Sequence, residues 1–133
     1  MGAWSHEPFG NDDARDWLSV LEQSKGLSVV EAALNGVADD AEEYLEAPQC
    51  SVALVAAEVV AALLGRPSIS LPAEVVGWTS GRSRPSASLV TKAKRAVSAV
   101  LENSELQELW AESEDYPQWQ AGTKNLLARL NSA

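Results

Sequence analysis

The feature that most constrains the fold is an apolar run at residues 52–64, in which Glu58 is the single charged residue. All other positions of the run are Ala, Val or Leu. A helix that is apolar on every side belongs in the middle of a bundle, because none of its faces suits water. Pro48 is typical of the first turn of such a helix, and a Gly-Arg-Pro sequence at 65–67 ends it. The sequence therefore predicts a central helix at roughly residues 49–64.

Helical periodicity extends over most of the remaining chain. Apolar residues recur at the i, i+3, i+4, i+7 spacing of one helix face within residues 14–21, 30–37 and 89–101. The remaining helix starts are marked by Pro72, Ser104 and Pro117. No alternating pattern typical of a strand competes with these helices. We therefore expect an all-α fold, a compact bundle of about six helices around the central apolar helix, in a single domain that spans residues 1–133.

Polar side chains at several helix starts are of the capping type. Asn11 precedes two aspartates, and acids in a first turn favour the positive end of the helix dipole. Ser86 is predicted to cap the amphipathic helix that follows it. Ser104 and Gln107 form a capping-box pair ahead of the next apolar stretch.

The charge of the chain is strongly acidic, with 10 Lys and Arg against 19 Asp and Glu and a net charge of −9. Such a chain repels nucleic acid and anionic lipid at long range and favours basic partners, cations or simple solubility. The charge is uneven, because residues 66–95 hold six basic side chains and a single acidic one. This basic segment either faces acidic residues within the fold or forms a local anion site. Its cations are Arg66, Arg82, Arg84, Lys92, Lys94 and Arg95.

The single cysteine, Cys50, excludes an internal disulfide and a zinc site of several cysteines. We expect no metal and no cofactor. Acidic residues are scattered through the first 25 positions, so a secretory signal cannot be drawn there. The apolar run at 52–64 is too short to span a bilayer. We therefore expect a cytoplasmic protein with no membrane or nucleic-acid partner, as a monomer or a homodimer.

The opening of the chain, GAWSHEPFGNDDARDWL at residues 2–18, resembles the start of the bacterial domain-of-unknown-function family 4259. The stretches YLEAP and AAEVVAALLGRP, at residues 44–48 and 56–67, also look like this family. Ser5 and Glu7 stand where the family has glycines. The resemblance implies an intact domain of bacterial origin and no particular activity. The residues of the opening that fit the family pattern are Gly2, Trp4, Phe9, Asn11, Asp12, Ala14, Asp16 and Trp17.

Glu58 is the most informative single residue, because a buried carboxylate without partners costs several kcal/mol. We expect the N-terminal segment that precedes the first helix to fold back as a strap on the central helix. Our structural hypothesis is that Glu58 accepts hydrogen bonds from this strap, or pairs with Arg15 or His6. Under the functional alternative, Glu58 serves a small-ligand or metal site between the strap and the central helix, with Asp12, Asp16 and His6.

Trp78 is the tryptophan that we expect to be least covered, since it lies beside a glycine and ahead of a basic loop. With Arg82 and Arg84 it would form an interface anchor, because Trp and Arg are enriched in binding hot spots. Cys50 and His6 could in principle pair as a nucleophile, but no third group to orient them is evident.

These features favour a non-enzymatic protein-interaction module with an acidic surface. Small immunity and antitoxin proteins offer an analogy in size and charge alone. A small-ligand or metal-binding domain with its pocket around Glu58 is the alternative, and an enzyme comes third because the usual catalytic motifs are not found in the sequence.

Overall fold

The computed structural model describes residues 12–24, 26–38, 44–68 and 71–131. This part of the chain is helical, with no strand, and confirms the all-α prediction. Its helices are α1 Asp12–Glu22, α2 Ser28–Ala38, α3 Ala47–Leu63, α4 Ala73–Thr79, α5 Ala87–Glu102, α6 Glu105–Ala111 and α7 Tyr116–Asn131. None of these seven helices is long and apolar enough to cross a membrane.

The central position predicted for the apolar helix is confirmed. Of the 17 residues of α3, 11 are buried, and they lie on every face between Cys50 and Ala61. Helix α3 contacts each of the six other helices. Its surroundings explain why its sequence lacks a polar face, since no side of its middle reaches water.

The other helices form two groups around α3. Helices α2 and α5 pack on α3 and on each other, and α7 closes against α5 and α3. Helices α1 and α4 pair at another side of α3, while α6 bridges α3, α5 and α7. Amphipathic faces turn inward throughout, as on α1, where Ala14, Trp17, Leu18 and Leu21 are buried. The chain thereby builds one continuous core around α3.

The predicted caps of two helices are confirmed. The Ser86 hydroxyl accepts from the Leu89 N–H at 3.1 Å, and the Ser104 hydroxyl accepts from the Gln107 N–H at 3.0 Å. The second half of the predicted capping box, from the Ser104 N–H to the Gln107 side-chain oxygen, is not formed at the start of α6, and the Gln107 amide nitrogen donates to the Tyr116 hydroxyl at 3.0 Å. Asn11 lies outside the described residues.

Helix α3 ends in a tight turn that depends on Gly65. Its φ of 82° lies in the left-handed region, which glycine enters without steric cost. The Gly65 N–H donates to the Ala62 carbonyl and the Arg66 N–H to the Ala61 carbonyl, at 3.0 and 2.9 Å. These two bonds form a Schellman motif. The turn leaves the Arg66 carbonyl available to a side chain from another helix.

Candidate functional site

Glu58 forms a buried ion pair with Arg129 of α7. Its side chain lies on α3 and the residue is 2% exposed. The two terminal nitrogens of Arg129 donate to the two carboxylate oxygens of Glu58, at 2.7 and 3.0 Å. This is the bidentate geometry in which a guanidinium and a carboxylate interact most strongly. The charge that the sequence places in the middle of the core is therefore neutralised within the chain.

Arg129 is itself held in place by two further contacts. Its Nε donates to the Asn125 side-chain oxygen one helical turn earlier, at 2.7 Å. One terminal nitrogen also donates to the Arg66 carbonyl at 3.2 Å. The side chain thus connects α7 both to the middle of α3 and to the turn that ends it. The carboxylate oxygens of Glu58 and the guanidinium nitrogens of Arg129 all have partners within the chain. The arrangement is therefore structural, and we call it the clamp.

Of the partners predicted for Glu58, Arg15 was wrong. Arg15 forms an ion pair with Glu74 at 3.4 Å, which joins α1 to α4 on the exposed side of both helices. His6 and the strap lie outside the described residues. Periodicity placed Arg129 on the last helix but could not show that this helix packs against the middle of α3 at Glu58, 71 residues earlier.

The carboxylates proposed as ligands together with Glu58 do not converge on it. Asp12 and Asp16 are exposed on α1, whereas Glu58 is buried against α7. Within the described ranges, no group of three or more His, Cys, Asp or Glu side chains could hold a metal ion. The acids of the first turn of α1 therefore lie at the surface of the bundle.

Cys50 lies in the interior near the start of α3. Burial raises the pKa of its thiol from 9.0 to about 11, although hydrogen bonds with Ser104 and the Leu106 backbone act in the opposite direction. The thiolate is the reactive form of cysteine, so this environment suppresses nucleophilic chemistry at neutral pH. His6, its possible partner, is outside the described residues.

Trp78 shares with Trp17 the highest exposed fraction among the described tryptophans, but this fraction is only 9%, so Trp78 is not an exposed anchor. Its indole N–H donates to the Ser24 carbonyl at 3.2 Å. Arg82 covers the ring, with the guanidinium carbon 3.7 Å from the ring centroid, and its Nε donates to the Trp78 carbonyl at 2.6 Å. Trp78 and Arg82 contact each other as predicted, but their contact covers the end of α4 instead of forming an exposed interface. Arg84, the third residue of the predicted interface, is exposed.

An exposed aromatic residue occurs instead at Tyr44, which is 59% exposed. Its hydroxyl donates to the Glu108 carboxylate at 3.0 Å. Desolvation and the neighbouring Glu108 carboxylate raise the pKa of Tyr44 above its ordinary value, which keeps the hydroxyl protonated as a donor. Tyr44 was not predicted to be an interface residue. Its place ahead of a proline-initiated helix, among acids, was the available signal.

The segment around Tyr44 is fixed to the start of α6 by reciprocal hydrogen bonds. The Glu105 N–H donates to the Leu45 carbonyl at 2.9 Å, and the Glu105 carboxylate accepts from the Ala47 N–H at 2.7 Å. These bonds hold the ends of two helices together. Tyr44 and the acids of α6 therefore occupy one continuous surface of the bundle.

Two concavities border α5 on its outer side, and Lys94 lines both of them. The larger has a volume of about 550 Å³ and includes Arg95 and Glu102. The smaller, of about 300 Å³, includes Arg84. Of the basic segment, Lys92 faces an acid, with its Nζ 2.9 Å from Glu31 of α2. Among the described residues, no acidic side chain forms an ion pair with Arg84, Lys94 or Arg95.

The fold and these contacts define a small all-helical domain whose central helix is clamped to the last helix by a buried ion pair. The chain belongs to the family described as Domain of unknown function (DUF4259), whose model matches residues 2–122. This match confirms the resemblance seen in the sequence. No curated protein and no solved structure matches the chain.

Proposed function

We propose that this chain is a non-enzymatic, cytoplasmic protein-interaction module that binds a basic segment of a partner protein. The binding surface, called the acidic face below, consists of Tyr44, Glu108, Glu112, Glu114 and Asp115. All five residues are exposed. The observation that carries the proposal is the hydrogen bond that holds the exposed Tyr44 ring against Glu108, amid acidic residues.

The composition of the acidic face fits a docking site for cations. Residues 102–115 contain six acidic side chains and no basic one. Such a field raises the rate at which a basic partner associates and disfavours acidic competitors. Tyrosine is enriched among the residues that dominate binding energy, because its ring offers apolar area and its hydroxyl a polar contact.

The part of the acidic face around Tyr44 is held in place by hydrogen bonds before any partner binds. Tyr44 is tethered to Glu108, and the neighbouring backbone is tied to α6 through Glu105. A surface that is ordered before binding loses less conformational entropy when its partner arrives. This supports an interface in which the chain presents a preformed shape.

Glu58 and Cys50, two residues of the described chain that were candidates for a reactive or ligand-binding role, have structural roles here. Glu58 is neutralised by Arg129, and Cys50 is buried with a raised pKa. These contacts support a binding role rather than catalysis. The analogy with small immunity and antitoxin proteins concerns size and charge alone.

The test compares matched charge reversals on two exposed surfaces. The variant Glu112→Lys/Glu114→Lys alters the acidic face, and Asp16→Lys/Glu22→Lys makes the same change in net charge on α1. Tyr44→Ala removes the aromatic ring. Each protein is immobilised on a support and incubated with an extract of the source organism, and the proteins that bind are identified. The partner is then purified, and its affinity for the wild-type chain and for each variant is measured.

We expect a partner with a basic surface that binds the wild-type chain and the α1 variant but neither variant of the acidic face. Binding should weaken as salt is raised, because exposed charges are screened. Equal retention of the partner by Glu112→Lys/Glu114→Lys would contradict the proposal. So would an equal loss in both charge-reversal variants, which would indicate a dependence on net charge alone.

A further inference from the structure

We infer that the smaller concavity beside α5 is a binding site for a small organic phosphate, with the phosphate held by Arg84 and Lys94 and the organic part in the remaining volume of the cavity. This concavity, called the basic pocket below, lies between the end of α3, the loop before α5 and the first half of α5. The residues that carry the argument are Leu64, Arg84, Pro85, Val90, Thr91 and Lys94.

The positive charge of the basic pocket is not used by the fold. Arg84 is exposed and Lys94 is half-buried, and neither forms an ion pair within the described part of the chain. Lys92, two residues from Lys94, shows the contrast because it is already paired with Glu31. Both cations line one cavity, and no acidic side chain of the described residues pairs with either of them, so a bound dianion would meet two cations without an ion-pair partner.

The chemistry of the two cations favours a phosphate group over a single carboxylate. A guanidinium presents a planar fork that matches two phosphate oxygens, while an ammonium supplies a compact second charge. A phosphate monoester carries a charge of about −1.5 to −2 at neutral pH. The Thr91 hydroxyl donates to the Ala87 carbonyl at 3.0 Å, so the two cations are the principal donors.

The size of the basic pocket indicates that the ligand has an organic part. A volume of about 300 Å³ is far more than a phosphate ion fills, and it matches the lower range of small-molecule pockets. Leu64, Pro85 and Val90 contribute the smaller, apolar part of a lining that is mostly polar. A small organic group would contact these side chains while it fills the volume that the phosphate leaves open. Glu102, the acid of the neighbouring concavity, does not line the basic pocket.

The experiment uses phenyl phosphate as the probe, because it combines a dianionic head with a small apolar ring. Binding to the full chain is measured at neutral pH by calorimetry or by chemical-shift titration. The variants are Arg84→Gln, Lys94→Gln and the two together. Lys124→Gln is the matched control, since Lys124 is exposed on α7 and its replacement changes the net charge by the same amount. Melting curves establish that each variant remains folded.

We expect millimolar or tighter binding to the wild-type chain, weakened about threefold by either single substitution and about tenfold by the double one. Lys124→Gln should bind the probe as the wild type does. Inorganic phosphate should compete, but with lower affinity, because it leaves most of the cavity unfilled. Absence of millimolar binding would overturn the inference, as would equal weakening by Lys124→Gln or equal affinity for phenyl phosphate and inorganic phosphate.

Discussion

Arg129 holds Glu58 with two hydrogen bonds of 2.7 and 3.0 Å, and so joins the last helix to the middle of the central one. The family match ends at residue 122, whereas Arg129 lies seven residues further on. The charge buried within the matched part of the chain is thus neutralised from outside it. This relationship makes the second half of α7 part of the domain's core.

Removing one partner of this pair should strongly destabilise the fold. We expect Arg129→Leu to lower the free energy of unfolding by about 3–5 kcal/mol, because it leaves the Glu58 carboxylate buried without its cation. The measurement is chemical denaturation of the variant and the wild type in urea.

The double variant Glu58→Leu/Arg129→Leu should recover much of this loss, since replacing a buried pair by apolar side chains is often close to neutral. The coupling energy from the four proteins separates the pair from the individual side chains. Strictly additive losses in the two single variants would show that the clamp does not contribute as a pair.

Two serines with the same capping geometry should contribute differently to the stability of the fold, because one is exposed and the other is buried. Ser86 caps α5 at the surface, whereas Ser104 caps α6 in the interior, and its hydroxyl also donates to the Val100 carbonyl at 2.7 Å. We expect Ser86→Ala to cost about 1 kcal/mol of stability and Ser104→Ala about 2 kcal/mol. Unfolding of both variants in urea provides the comparison, and a larger loss at Ser86 would refute the reasoning.

Trp78 should contribute to stability rather than to binding. We expect Trp78→Phe to cost about 1–2 kcal/mol, because it removes the hydrogen bond to Ser24 and weakens the cation–π contact with Arg82. Val76→Ala on the same helix is the control, since Val76 is exposed and its truncation should change stability by less than about 0.5 kcal/mol. The measurement is the melting temperature of each variant. Equal melting temperatures for Trp78→Phe and Val76→Ala would contradict a stabilising role of Trp78.

The sequence was sufficient to predict the fold class because hydrophobic periodicity reports directly on burial. An apolar run with no polar face has few places in a small protein, so the central position of α3 followed from composition alone. The caps at Ser86 and Ser104 followed from local chemistry within four residues. Each of these predictions depends on contacts that are short in sequence.

The contacts that could not be predicted are the long-range ones. Glu58 was recognised as a residue in need of a partner, but the choice among several cations depends on how α7 crosses α3. Trp78 was expected to be the least covered tryptophan because it lies beside a glycine and ahead of a basic loop, yet its indole N–H bonds to the Ser24 carbonyl and the Arg82 side chain covers its ring. Residue type indicates what a side chain requires, and packing decides which neighbour supplies it.

Cys50 makes the stability of the fold depend on pH in the alkaline range. Its thiol has a pKa of about 11 in the folded chain against 9.0 when unperturbed, because burial disfavours the thiolate. The unfolded chain therefore loses this proton at a lower pH than the folded chain does. The contribution of the Cys50 thiol to the free energy of unfolding is fully present below pH 9.0. It declines as the pH rises towards 11 and is lost above that pH.

The measurement is the free energy of unfolding of the wild type and of Cys50→Ala at a series of alkaline pH values. Subtracting the two curves cancels the titration of lysines and tyrosines that both proteins share. We expect the wild type to lose stability relative to the variant across this window, and native Cys50 to resist thiol reagents until the chain unfolds. A difference that stays constant with pH would mean that the thiol ionises as easily in the folded chain as in the unfolded one, which its burial near the start of α3 opposes.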